Sequence, residues 1–207
     1  MQNRLLLPLF PLQVVLFPGG PLPLHIFEER YKEMIAEAIR DQSEFGILLV
    51  TGNGLSTVGS TAVVEKVLHE YPDGRLDIMT RGKRRFELLL VNEERNFLRG
   101  SVEFFEDEAS AAPDAEAREG ALHAYNEFRA VAPEAPPAPV EDPLLSFALA
   151  EPIEDPSFRQ SLVAARSEAE RLRRLAEYFR KFSAREKRTR DVKDLASRNG
   201  HGKREIS

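Results

Sequence analysis

Apolar residues open the chain in short blocks that proline interrupts: Leu7-Pro8-Leu9, then Val14-Val15-Leu16-Phe17-Pro18-Gly19, then Leu22-Pro23-Leu24. Proline fixes φ and removes a backbone donor, so this stretch cannot be a helix, and the residues before each proline are pushed toward extended geometry. The run 12–17 is the one part free to pair as an ordinary strand, with Pro18-Gly19-Gly20-Pro21 as a break behind it. The pattern then turns helical over residues 27–40, where Phe27, Tyr31, Met34, Ile35 and Ala38 share one stripe.

Period two takes over next. Residues 45–50 form a short apolar strand before the turn Thr51-Gly52-Asn53-Gly54. Residues 58–69 read as a long strand rich in β-branched side chains. Pro72-Asp73-Gly74 supplies hairpin chemistry, and Leu76, Ile78 and Thr80 alternate on the return. Gly82 is expected to break that strand, with further strands at 86–91 and 97–105. Half a dozen strands around a single helix predict a small closed or partly open barrel.

After Glu108 the composition shifts to Ala, Glu and Arg and the strands stop. Asp114 can cap a helix running to about residue 130 that turns Leu122, Tyr125 and Phe128 inward. Residues 131–140 hold four prolines and read as an extended loop or linker. Asp142-Pro143 and Asp155-Pro156 each pair a capping acid with a first-turn proline, and Ser167 with Glu170 makes a capping box. The helix behind that box carries Leu172, Leu175, Phe179 and Phe182 on one face. The fold class expected is α+β: a β-rich lobe over residues 1–108, a helical lobe over 109–182, and a basic, disordered tail over 183–207.

Composition narrows the functional classes. The net charge of −5 argues against a general nucleic-acid binder. The tail alone carries eight basic and four acidic residues. No cysteine is present, which removes disulfides, thiol catalysis and thiolate metal sites and agrees with a cytoplasmic protein. No apolar run reaches the roughly 20 residues a membrane helix needs. Gly52-Asn53-Gly54 lacks the remaining residues of a phosphate loop, and His25, His69, His123 and His201 share no metal-ligand spacing. No catalytic residue, cofactor or metal is therefore assigned.

Two features invite a binding role. The basic junction Arg81-Gly82-Lys83-Arg84-Arg85-Phe86 could contact anions or partner carboxylates; the favoured reading is a bend with solvated charges whose Phe86 enters the core. The second feature is the set of apolar loop residues Phe10, Phe17 and Leu22, which serve as a protein-binding surface if exposed and seal the barrel end if buried. The apolar density favours burial of most of them, with Phe10 or Leu22 the best exposed candidates.

These motifs, in order and spacing, resemble the Lon N-terminal substrate-binding domain family, whose fold is PUA-like. Leu7-Pro8-Leu9 and Val14 to Gly19 are similar to its opening signature, and Thr57-Val58-Gly59-Ser60 to its Thr-Val-Gly-Thr strand. Tyr71-Pro72-Asp73-Gly74 with Gly82 to Phe86 matches its hairpin and Gly-x-x-Arg-Phe bend, and Arg171-Leu172 lies in its trailing helices. The ATPase and peptidase modules of a full Lon protease have no counterpart here, so the resemblance implies a stand-alone, non-catalytic module. Its implied partners are unfolded or extended protein segments in quality control. A partner protease and a homodimer stay open. RNA binding, as in related PUA barrels, is the alternative.

Overall fold

In the computed structural model, which describes residues 6–52, 54–108 and 114–199, the chain forms six strands and five helices. Strand β1 (Leu7–Leu12) pairs parallel with β3 (Phe45–Thr51) and briefly antiparallel with β6 (Arg99–Phe105). Strands β4 (Gly54–Glu70) and β5 (Leu76–Asn92) form a long antiparallel hairpin; β4 also pairs with β3, and the far half of β5 pairs with β6. That last pairing closes β5-β4-β3-β1-β6 into a barrel. Strand β2 (Pro21–Ile26) lies outside the ring, on the near half of β5.

The opening corrects one expectation. Of residues 12–17, predicted as the pairing strand, Leu12 ends β1 and 13–17 form a loop, while the proline-bearing blocks on either side are the strands. In β1 the Leu9 amide donates toward the β6 side, to the Leu98 carbonyl at 2.8 Å. Amides alternate sides, so Pro11 faces that same side beyond the reach of the β6 pairing, and Pro8 faces β3 just before its register begins at Leu9. In β2, an edge strand, Pro21 and Pro23 lie two apart and both are exposed. Each proline thus stands where the ladder asks for no donor.

Gly82 does not break β5. The strand runs through it because the loop before β2 lies on its backbone: Gly19 N–H donates to the Gly82 carbonyl and Gly82 N–H to the Gly20 carbonyl, both at 2.9 Å. A Cβ at position 82 would lie 2.0 Å from the Phe17 carbonyl oxygen, so only glycine permits this approach.

Helix α1 (Glu29–Asp41) starts two residues later than the stripe predicts. Tyr31, Met34, Ile35 and Ala38 are buried against the barrel, but Phe27 precedes the helix and is 59% exposed. Arg95 ties α1 to the β5–β6 connection through Glu33 and Glu37, each at 2.5 Å.

The helical lobe comprises α2 (Ala115–Arg129), α3 (Leu145–Ala150), α4 (Pro156–Ala164) and α5 (Glu168–Asn199). Asp114 and Asp155 cap α2 and α4 as expected. Asp142 accepts from the Leu144 amide instead, so α3 begins beyond it. Residues 131–140 are irregular but not a free linker: Val131, Ala132 and Ala135 are buried, and the Tyr125 hydroxyl donates to the Pro136 carbonyl. Leu172, Leu175 and Phe179 fill the core between α2 and α5, each contributing about 1.5–3 kcal/mol before entropy.

The tail expected to be disordered is helical as far as Asn199. Residues 183–199 contain neither proline nor glycine, and their charges recur at i and i+4 (Glu186 with Arg190, Lys187 with Asp191), so a helix already nucleated by packing propagates through them. Ser183 is buried, and Arg190 donates to the Val131 carbonyl at 2.8 Å.

Candidate functional site

The loop joining β1 to β2 is held between the lobes. Val15 and Phe17 belong to the helical core rather than the barrel core. The Phe17 ring stacks on Phe147 at 5.3 Å, and the Arg159 guanidinium lies 4.1 Å above it. Arg159 also donates to the Ala150, Glu151 and Ile153 carbonyls at the end of α3 and to the Val15 carbonyl across the lobe boundary. Burial pushes its guanidinium pKa down, with Glu151 opposing.

Beside this clamp runs a second junction made of charge. Arg171 is 2% exposed and donates to both oxygens of Asp107 (2.7 and 2.5 Å), to Glu168 and to the Ser146 hydroxyl. Arg85, on β5, reaches the same Asp107 at 2.5 Å and donates to the Val163 and Ala165 carbonyls. Burial alone would raise the Asp107 carboxyl, but Arg171 and then Arg85 outweigh it and hold it below the ordinary carboxylate range. The two arginines diverge. Burial prevails at Arg85 and lowers it; Arg171 is buried too, but its two carboxylates keep it above its usual value.

Between clamp and junction the surface is hollowed in three successive pockets. The largest, about 590 Å³, lies among Lys83, Arg84, Phe104, Phe105, Leu144 and Phe147, over the Asp107 cluster. Leu144, Phe147 and Pro18 pass into a second of about 310 Å³, walled by Pro18, Pro21, Pro136, Pro137 and Pro139. Pro21 and Glu151 lead on to a third of about 330 Å³ that Val14, Leu22, Ile153 and Glu154 line. Sharing these residues, the three pockets follow one another as a groove along the lobe boundary, apolar along its middle. Lys83 and Arg84 stand at one end and Glu151 and Glu154 at the other. Its proline walls offer rigid apolar surface that loses little entropy on contact.

The sequence candidates divide. Leu22 is half-buried in β2 and lines the groove. Phe17 is fully buried beneath it. Phe10, one of the two best candidates for exposure, is 6% exposed inside the barrel, 4.1 Å from the Tyr31 ring. For both phenylalanines the burial reading is the one that holds. At the basic junction Phe86 is fully buried as expected, but Arg85 is buried and paired rather than solvated. What sequence reasoning missed is the Arg85–Asp107–Arg171 cluster. One signal was present: Arg171 stands four residues before Leu175 and eight before Phe179, a charge within an apolar stripe. Among the described residues no group of three His, Asp or Glu side chains is placed to hold a metal ion, and no helix is long and apolar enough to cross a membrane.

Comparison with known proteins points one way. The family profile of the ATP-dependent protease La (LON) substrate-binding domain matches residues 6–194. A Lon protease of Anaeromyxobacter dehalogenans is 31% identical over 171 residues, which is 77% of this chain and 19% of that protein. A Lon protease of Parabacteroides distasonis is 34% identical over 110 residues, 49% of this chain and 13% of that protein. The chain therefore spans a fifth or less of these relatives. Among solved structures, a Lon N-terminal domain protein from Xanthomonas campestris superposes with a TM-score of 0.68 at 25% identity, covering 84% of this chain and 98% of the other. The N-terminal domain of a Mycobacterium avium complex Lon protease has the same fold, with a TM-score of 0.62 at 17% identity and coverage of 84% and 97%.

Proposed function

The chain belongs to the family of Lon substrate-binding domains, and from that premise we propose that it is a non-catalytic module that holds exposed, extended segments of other proteins, in protein quality control. The observation that carries this reading is the groove along the lobe boundary. It is long, open and apolar along its middle, and its walls come from both lobes at once. An extended segment can lie across such a surface and bury alternate side chains, whereas a compact domain presents none.

The test uses two groove residues that are partly exposed and therefore carry little of the core, Leu144 at 38% and Phe104 at 42%. Leu144→Glu and Phe104→Glu are made singly in the full chain and titrated with a permanently unfolded protein, such as reduced and carboxymethylated lactalbumin. A loss of about tenfold or more in affinity, with the thermal midpoint unchanged, is the expected result. Undiminished binding by both variants would remove the groove as the site.

A further inference from the structure

The barrel closes unevenly. On its β4 side, β5 is paired only as far as Glu87, opposite Val58. Beyond that point β4 runs with β3 alone, through Leu55 opposite Val50 and Gly54 opposite Thr51. Residues 88–92 pair with β6 on one side, and among the described residues no strand pairs with their other side. That stretch also carries an apolar surface: Leu89 is 47%, Leu90 68% and Val91 44% exposed. Leu89 is the additional residue of a bulge opposite Val102 and Ser101, which turns this edge away from the barrel.

Two of the free edges among the described residues are treated differently. Strand β2 carries Pro21 and Pro23, which blunt an edge against further pairing. Residues 88–92, Leu-Leu-Leu-Val-Asn, include no proline, no lysine and no other charge. Apart from the single bulge at Leu89, nothing blunts this edge, and an edge with exposed aliphatic side chains is a template for one more strand.

Charge around the edge selects the strand. Glu87 and Glu103 stand directly opposite each other in the β5–β6 ladder, and Glu93 and Glu94 follow the end of β5. Among the described residues two cations answer these four carboxylates: Arg166 pairs with Glu87 at 3.1 Å and Arg99 with Glu94 at 3.5 Å. A second copy of the chain, pairing about a twofold axis at Leu90, would set Glu87 against Glu93 in both halves of the ladder, so like charges oppose that dimer. We infer that the open edge of β5 at residues 88–92 is a strand-addition site that takes an extended apolar segment flanked by lysine or arginine. This rests on the reading of the chain as a binder of extended polypeptide. Main-chain hydrogen bonds supply sequence-tolerant affinity there, and the acidic flanks supply the preference.

The probe is a synthetic peptide with an alternating valine–threonine core and lysine at both ends, labelled for fluorescence anisotropy and titrated against the full chain. The same core with glutamate ends should bind about tenfold or more weakly. Methylating alternate peptide amides on the pairing side should abolish binding. Leu90→Lys and Val91→Lys, both at exposed positions, should weaken the lysine-ended peptide without moving the thermal midpoint. Hydrogen exchange then locates the complex: the peptide should slow exchange within residues 88–92. Binding without that protection overturns the strand-edge inference and leaves the polypeptide-binding reading standing. Protection of 88–92 in the free protein that disappears on dilution would assign the edge to a second copy and overturn it as well. Failure of every peptide and of the unfolded client to bind would sink both readings.

Discussion

Asp107 is the residue on which two elements of different lobes converge. It accepts from Arg85 on β5 and from Arg171 on α5, and neither arginine has enough water around it to stand alone. Removing one partner of a buried pair leaves a charge uncompensated, so Asp107→Ala should lower stability by about 3–5 kcal/mol, measured by urea unfolding. Because the folded carboxyl titrates below its unfolded value, its contribution is complete above about pH 4 and disappears as pH falls through the folded value. Asp107→Asn should accordingly flatten the fall of the thermal midpoint below about pH 4 that the parent shows. Phe10 gives a contrasting prediction. Placed between Tyr31 and Phe45 in the barrel core, it is structural, and Phe10→Asp should prevent stable folding rather than selectively weaken binding. The hydrophobicity of Phe10, Phe17 and Leu22 was plain in the chain. Which of them meets solvent was not, because exposure depends on what the rest of the fold lays over each ring.

At the scale of elements, local chemistry was read most accurately where the determinant lies within a few residues. Asp155 accepts from the Ser157 and Phe158 amides ahead of Pro156, the arrangement its dipeptide announces. Asp155→Ala should cost about 1 kcal/mol of stability, seen as a small drop in thermal midpoint. The hairpin at Asp73-Gly74 and the stripe of α5 were legible for the same reason. Leu175→Ala, which removes a fully buried contact between α5 and its neighbours, should cost about 2–5 kcal/mol. Errors fall where a strand's neighbours decide. Prolines at 8, 11, 21 and 23 argue against pairing only if their donors are needed, and whether they are depends on edges that no local window contains. Gly82 looked like a break because its reason for being glycine, the Phe17 carbonyl, is supplied by a loop far earlier in the chain.

For the molecule as a whole, the contacts that join the lobes include Phe17 and Val15 inserted into the helical core, the Arg159 clamp, and the Asp107 cluster. Lobes coupled this closely should unfold together. Calorimetry of the parent should show one transition, while Asp107→Ala should broaden or split it as the barrel and the helices separate. The groove proposed for clients exists only because the two lobes are held at this boundary, so the same variant should also weaken client binding without touching an apolar groove residue. The α+β class, the helical stripes, the caps at Asp114 and Asp155 and the family to which the motifs belong were determined by the sequence alone, since periodicity, turn chemistry and motif order are properties of neighbouring residues. The burial of Phe10 and Phe17, the pairing of Arg85 with Arg171 through Asp107, the groove and the open edge of β5 were decided by tertiary structure. Each depends on residues far apart in the chain meeting in space, and the free energy of a charge or a ring is set by what surrounds it there.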